Sequence, residues 1–482
     1  MRLFKKEHDT VQVLCFPEET VEKGDYLVVE DLKAKRSLLV QVVDIQFANL
    51  PGMMEDLVRE DVGDAYLFGE DYDPLQLNSQ ITLLRDIRIL LGKIRCSIQG
   101  GSIDMNVSWL PSRVHSQIYR LKPHQLFELL KLGFRRPIKI GDDGDGFELR
   151  IDADALDGKL SIITGRKGSG KSHLSKLLVL GLVDHGAPVL VFDVNGEYVN
   201  LGVNPNGEKN RYHDRIMVLN PAKNFKVTLS YMGLATASSL LAHVLSLPET
   251  SLREFSRIWK NLERSDSLSL KSLKNTLRCC DLNEHVREAL LSRVYTLERS
   301  GFVVEEGEET VRLEDFFAKT SGTGGAAVIN LSRSFPLERK LVVEFTLSKL
   351  VELLRVRRVK ACFLFAEEAH LYLRETYWED AVTRMRHLGL FTTFITNRPD
   401  SIGEDIYRQA DSIFLFNFKN EHDLNAISKA ARIDGETMKA IAQSLKPHHC
   451  MTIGQVTGEI PFVIRVKPLD VKTMGETRTF FS

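Results

Sequence analysis

Short apolar runs separated by turn residues dominate the first hundred positions. Val11–Phe16, Tyr26–Val29, Leu38–Ile45, Ile87–Leu91 and Ile94–Ile98 read as strands, bounded by turn signals such as Glu22-Lys-Gly24-Asp25. Several strands with little helix predict a small β-barrel. A polar stretch from about Asn49 to Ser79 interrupts it and reads as helix and loop. Pro111, Pro123 and Pro137, followed by Gly141-Asp-Asp-Gly-Asp-Gly146, mark a boundary region and a turn.

From about Ile138 the pattern becomes an alternation of strand and helix. Val189–Phe192, Ile216–Leu219, Ala327–Leu331, Cys362–Phe365, Thr392–Ile395 and Ile413–Phe416 are nearly continuous apolar runs. Strands buried on both faces look like this, so the second part is expected to be an α/β unit with a parallel sheet covered by helices. Between about Ser238 and Ser300 there is no strand signal, and the stretch is read as a helical insertion. Its second part is expected to open at the capping-box match Ser251-Leu-Arg-Glu254. The expected division is 1–125 for the barrel with its insert and linker, 126–470 for the α/β domain with the insertion at 238–300, and 471–482 for a polar tail or a strap on a neighbour.

Composition adds limits rather than identity. A chain of 482 residues is too long for one ordinary core. Hydrophobic content of 43% and charged content of 27% are those of a globular protein. The net charge of −1 argues against a wholly basic nucleic-acid coat and leaves room for a basic channel. Six scattered cysteines without a C-x-x-C pair suit a reducing cytosol and argue against zinc. The N-terminus lacks the apolar core of a signal peptide, and no apolar run approaches the ~18–20 residues of a membrane helix. A cytoplasmic protein without a membrane partner is expected.

Chemistry is carried first by Gly165-Arg-Lys167-Gly168-Ser169-Gly170-Lys171-Ser172, which fills the phosphate-loop template G-x-x-x-x-G-K-[ST]. Its glycines let backbone N–H groups turn inward around a phosphate. Lys171 is expected to reach the β- and γ-phosphates, and Ser172 to ligate Mg²⁺. Leu160–Ile163 before the loop reads as a buried strand. Leu174, Leu177, Leu178 and Gly181 after it recur at helical spacing, so a helix N-terminus, with His173 in its first turn, faces the anion.

The second half of such a site is a carboxylate for Mg²⁺ and a group that polarises water. Ala361–His370 supplies an apolar strand ending in Glu367 and Glu368. Adjacent residues at a strand end diverge, so Glu367 is assigned to the Mg²⁺ shell and Glu368 to the attacking water. Asp193-Val-Asn-Gly196-Glu197-Tyr198 reads as a polar cluster near the nucleotide and the subunit edge. A GTPase reading of Asp193-x-x-Gly196 with Asn397-Arg-Pro-Asp400 is weaker, since the usual Asn-Lys is missing and Glu367-Glu368 is left without a role. No L-S-G-G-Q stretch points to a transporter-type ATPase, and a small-molecule kinase does not account for the size or the barrel.

Together these segments resemble the HerA family of hexameric DNA-translocating ATPases, within the HerA/FtsK group. The N-terminal barrel is similar to the family's HAS barrel. Gly165 to Ser172 is similar to its phosphate loop, Asp193 to Tyr198 to its D-x-x-G-E-Y segment, and Glu367-Glu-Ala-His370 to its acidic Walker B. Arg384-Met-Arg386-His-Leu-Gly389-Leu through Thr396-Asn-Arg398-Pro399 is similar to its R-K-x-G-x-G…S/T-Q-R-P segment.

The resemblance implies a RecA-like ATPase domain, ATP with Mg²⁺, a homo-hexamer and double-stranded DNA as the track. It implies a nucleotide site between subunits, with Arg386 as the neighbour's finger and Arg384 as runner-up. It also implies a γ-phosphate sensor at Asn397, where the family more often carries Gln, and a basic residue at Lys159. A NurA-like nuclease docking on the barrel, or another effector in a bacterial defence complex, is the implied partner. Gly165, Lys167, Gly168, Ser169, Gly170 and His173 complete the implied nucleotide contacts. No DNA-contacting residue is assigned: Arg355-Val-Arg-Arg-Val-Lys360 reads better as a solvated helix end. His370 reads as a coupling or packing group.

Overall fold

The computed structural model describes residues 1–48, 86–100, 102–130, 133–143, 146–372, 385–418, 420–430 and 435–472. The expected polar insert at 49–79, Arg384 and the terminal stretch from 474 onward lie outside them.

The N-terminal part is all β. Its strands are β1 (Arg2–Glu7), β2 (Thr10–Cys15), β3 (Tyr26–Asp31), β4 (Arg36–Phe47), β5 (Arg88–Gln99), β6 (Ser102–Asp104) and β7 (Ser116–Leu121). They pair antiparallel in the order β1-β2-β5-β4-β3-β7, with β6 on β5. Val11, Val13, Leu27, Val29, Leu38, Val40 and Leu90 fill its core. The two apolar runs at 87–91 and 94–98 are one long strand, β5. It bends where β4 slips register, and at Gly92 a Cβ would come within 2.2 Å of the Val40 side chain. The end strands β1 and β7 meet, but no hydrogen-bonded ladder joins them. The expected barrel is therefore a curled sheet without a backbone seam among the described residues. Its edge β1, Arg-Leu-Phe-Lys-Lys-Glu, is charged, as unpaired edges tend to be.

The larger sheet begins with β8 (Pro137–Asp142) and β9 (Glu148–Asp152). It continues with β10 (Ser161–Thr164), β11 (Pro188–Asp193) and β12 (Ile216–Leu219). After a separate two-stranded pair, β13 (Val227–Thr228) and β14 (Val303–Val304), come β15 (Gly325–Asn330), β16 (Cys362–Glu367) and β17 (Leu390–Thr396). The last strands are β18 (Ser412–Leu415), β19 (His449–Gly454) and β20 (Phe462–Val466). The order is β12-β15-β11-β16-β17-β10-β18-β19-β20-β8-β9. From β12 to β18 every pair is parallel; from β18 to β9 every pair is antiparallel. The strand–helix alternation thus starts at β10, and residues 137–152 are an antiparallel hairpin at the far edge.

Successive residues of each parallel strand enter opposite cores. Leu190 and Phe192 pack on one face with the helix Pro336–Arg355, while Val189 and Val191 pack on the other with the helix Lys171–Asp184. Continuous apolar runs are what this geometry requires.

The helical insertion is bracketed by β13 and β14, which pair parallel at Val227↔Val303 and Thr228↔Val304. Helix begins earlier than expected, at Leu229, and continues through Glu249–Arg264, Leu270–Cys279 and Glu284–Arg299. The capping box at Ser251 does not form. That helix starts at Glu249 after Pro248, and Ser251 is buried within its first turn. Glu249 instead places an acid at the positive end of the helix dipole.

Candidate nucleotide site

β10 ends at Thr164, the loop turns through 165–170, and Lys171 begins the helix. The glycines are required by close approach. A Cβ on Gly165 would lie 2.4 Å from Phe416 Cβ, and Gly170 has a φ of +115°. The Arg166 N–H donates to the Asn417 carbonyl at 3.2 Å, tying the loop to the end of β18. Lys171 is buried, and its Nζ donates to the carbonyls of Gly165 at 2.7 Å and Arg166 at 3.0 Å. Burial lowers the Lys171 ammonium, while Glu368, Glu197 and Glu367 pull it back up. Ser172 and His173 are half-buried on the first turn, Ser169 is buried, and Lys167 stands exposed on the loop, with Glu368 in its field.

β16 delivers the two glutamates with different surroundings. Glu367 is 2% exposed and faces Asp193, and its Oε2 has no hydrogen-bond partner among the described residues. Burial first, and then the charges of Asp193 and Glu197, push the Glu367 carboxyl well above its ordinary range. Asp193 accepts the N–H groups of Glu197 at 2.9 Å and Tyr198 at 2.8 Å. Burial raises Asp193 too, but these N–H bonds oppose the rise, so Asp193 is the better anion of the pair. Glu368 follows in a left-handed conformation, φ +46°, which turns its side chain away from Glu367. The Asn397 N–H donates to Glu368 Oε2 at 3.4 Å, and His370 Nδ1 lies 3.4 Å from the same oxygen. Burial raises the Glu368 carboxyl, while Lys171 and the Asn397 N–H oppose the rise. A carboxylate drawn upward in this way is a stronger base.

The Asp193–Tyr198 cluster adds groups that sequence reasoning did not single out. Tyr198 OH hydrogen-bonds Ser175 Oγ, and Lys176, 2% exposed, lies 3.7 Å from Glu197 and 5.6 Å from the Tyr198 ring centroid. Ser175 and Lys176 sit one turn beyond Ser172. That spacing was the available signal. The D-x-x-G carboxylate is thus engaged with Glu367 and two backbone N–H groups.

Arg386 and Lys159 are at the other end of the sheet. Arg386 lies in the 3₁₀ turn Met385–Leu388 that leads into β17, one strand length, about 20 Å, from Thr396. It is 37% exposed, with Nη1 3.7 Å from Asp411. Asp411 also accepts the Leu160 N–H at 3.0 Å, which brings Lys159 to the same edge. Within one chain these cations do not meet the phosphate loop. Arg355 to Lys360 is a helix end with exposed basic side chains, as expected. No group of three or more His, Cys, Asp or Glu that could hold a metal ion is found among the described residues. A phosphate-loop cation needs fewer protein ligands than that, because phosphates and water complete its shell. The unpartnered Glu367 oxygen and the Ser172 hydroxyl fit that role.

No described helix is long and apolar enough to cross a membrane. The family model for the central domain of helicase HerA matches residues 138–350. The DNA double-strand break repair helicase HerA of Sulfolobus acidocaldarius is 22% identical over 361 residues, covering 69% of each chain. That of Pyrococcus furiosus is 22% identical over 386 residues, covering 66% of this chain and 67% of its own. Among solved structures, VirB4 of Thermoanaerobacter pseudethanolicus superposes with a TM-score of 0.52 at 13% identity, over 70% of this chain and 98% of that one. The bacterial conjugative coupling protein TrwBdeltaN70 gives 0.53 at 12% identity, over 74% and 94%. At such identities the structural likeness shows a shared fold of the ATPase part. The family match covers the phosphate loop, the Asp193–Tyr198 segment and the helical insertion, so this central part of the chain is similar to the central domain of helicase HerA.

Proposed function

We propose that this chain is an ATP-hydrolysing motor that moves double-stranded DNA, acting as a ring in which each nucleotide is shared between two subunits. The observation that carries this reading is the convergence of Lys171, Glu367, Glu368 and Asn397 at one end of a parallel sheet. Such groups bind a triphosphate and activate water. Lys171 binds the β- and γ-phosphates. Glu368 orients water and takes its proton, and the Asn397 amide reads the γ-phosphate. Ser172 and Glu367 hold Mg²⁺, which when bound neutralises phosphate charge. Arg386 of a neighbouring copy supplies the cation that stabilises the transition state; its distance from this chain's own loop is what a group acting on the next subunit needs.

We take residues 1–125 as the unit that docks a partner enzyme, a NurA-like nuclease in DNA-end processing or another effector in defence, and 126–470 as the motor. DNA is gripped through its phosphate backbone without base readout. The test is hydrolysis of ATP and of GTP with and without linear duplex DNA. ATP turnover stimulated by DNA and lost in Glu368→Gln is expected. A preference for GTP, or indifference to DNA with the partner present, overturns the proposal.

A further inference from the structure

The turn before β19 touches the phosphate loop, although nothing in its sequence, Lys446-Pro-His-His449, suggests a nucleotide site. The His448 N–H donates to the Ser169 carbonyl at 3.1 Å, and the His448 carbonyl accepts the Val466 N–H at 2.8 Å. His448 has φ +62°, a conformation that costs a non-glycine residue energy and persists only where surroundings enforce it. Its ring lies against the loop. Nδ1 is 3.3 Å from the position a Cβ on Gly170 would take, and the His173 ring centroid is 5.6 Å away.

The hairpin that carries it is anchored from outside. Tyr26 OH and Gln41 Nε2 of the N-terminal sheet both reach the Pro461 carbonyl at the start of β20, and Tyr26 and Phe127 pack on Phe462.

Lys171, Ser172 and Glu368 mark the β- and γ-phosphate end of a nucleotide, so His173, the next residue of the first helical turn, takes the other end. We propose that His448 is a positioning residue of the nucleotide site: it holds the phosphate loop from the C-terminal hairpin and, with His173, lines the α-phosphate and sugar side. The inference rests on the nucleotide-binding reading and extends it to a residue far along the chain. It also explains the left-handed backbone, since φ > 0 at this position aims the ring at Gly170 while the N–H still reaches Ser169.

The test uses the full chain with Mg²⁺ and a fluorescent ATP analogue as probe. His448→Asn and His448→Gly both tolerate the left-handed backbone, so the N–H bond to Ser169 and the melting temperature are retained. Loss of the ring is expected to weaken binding about fivefold, the worth of roughly one hydrogen bond, and to raise KM for ATP by more than it lowers kcat. Wild-type affinity in both variants overturns the proposal, and so does a lowered melting temperature with affinity unchanged. Lys171→Ala is the control. If it binds the probe as the wild type does, the nucleotide reading itself fails; if it loses binding while both His448 variants keep it, only the role of His448 falls.

Discussion

The two ends of the parallel sheet carry different kinds of incomplete chemistry. At the C-terminal end, β10, β11, β16 and β17 finish together and bring Thr164, Asp193, Glu367 and Thr396 to one level. Acceptors, a buried ammonium and two unlike carboxyls are assembled there from four separate stretches of chain. At the N-terminal end, Lys159, Arg386 and Asp411 lie around the start of β10 and β17, where the Asp411 carboxylate takes the Leu160 N–H and faces Arg386. On the proposed reading, the phosphate-loop end and a cationic end without a phosphate loop are complementary halves. Opposite ends of one sheet cannot meet within a subunit. They can meet across a ring.

Breaking the cationic end is expected to cost most. Arg386→Ala should lower turnover roughly 10³-fold, the scale of an arginine finger, with little loss of nucleotide affinity. The decisive measurement mixes Arg386→Ala with Lys171→Ala subunits: only a mixed interface unites an intact loop with an intact arginine, so hydrolysis should partly return. No recovery across mixing ratios would remove Arg386 from the reaction. At the other end, Glu368→Gln should lower turnover about 10²-fold or more while ATP binding persists, as expected of a general base. A variant that also fails to bind would make Glu368 a structural group.

Asn397 gives a finer probe of the same end. Its backbone N–H, not its side chain, contacts Glu368. Asn397→Ala should therefore leave the Glu368 contact in place and reduce turnover only about tenfold, through the lost γ-phosphate contact. Asn397→Gln, which restores the family's longer side chain, should recover it. A variant as damaged as Glu368→Gln would assign Asn397 a larger part than sensing.

The smallest effect concerns stability. Glu367 is raised above its ordinary value of 4.5 by burial and by Asp193. The folded chain then holds a proton that the unfolded chain releases, so stability is full below the unfolded value and falls as pH rises toward the folded one. Glu367→Gln removes that dependence. Its melting temperature in the absence of nucleotide should exceed the wild type by about 2–4 °C at neutral pH, and the gap should close on acidification to pH ~4. The same variant should lose Mg²⁺-dependent hydrolysis. A wild-type pH profile of stability would show that Glu367 is ionised and compensated in the fold.

Much of the parallel sheet was legible because burial on both faces forces unbroken apolar runs. All six such runs downstream of the phosphate loop are strands β11, β12, β15, β16, β17 and β18. Several strands that were not foreseen have less apolar signatures: β1 is mostly charged, β7 is half polar, and β8 and β9 alternate on a sheet edge; β19 and β20 were also not foreseen, although both are apolar. β13 and β14 are two residues each and exist because the insertion must be closed. Ser251 failed as a helix start for a related reason. Its hydroxyl had a capping partner in sequence, but burial drew it into the first turn of a helix begun at Glu249. Nor could Asp411 or His448 have been found, since each acts through backbone brought close by strand pairing.

By itself the sequence determined the phosphate loop, the paired glutamates and the division into an all-β and an α/β part. Those depend on local spacing: glycine where backbone must approach an anion, and apolar runs where strands are buried. Only the tertiary structure decided that Glu367 is buried against Asp193 while Glu368 turns to Asn397. It also set Arg386 a strand length from the loop it resembles a partner for, and brought a histidine nearly 280 residues downstream to rest on Gly170. Proton affinity and reach follow from burial and neighbours in space. Order along a chain contains neither.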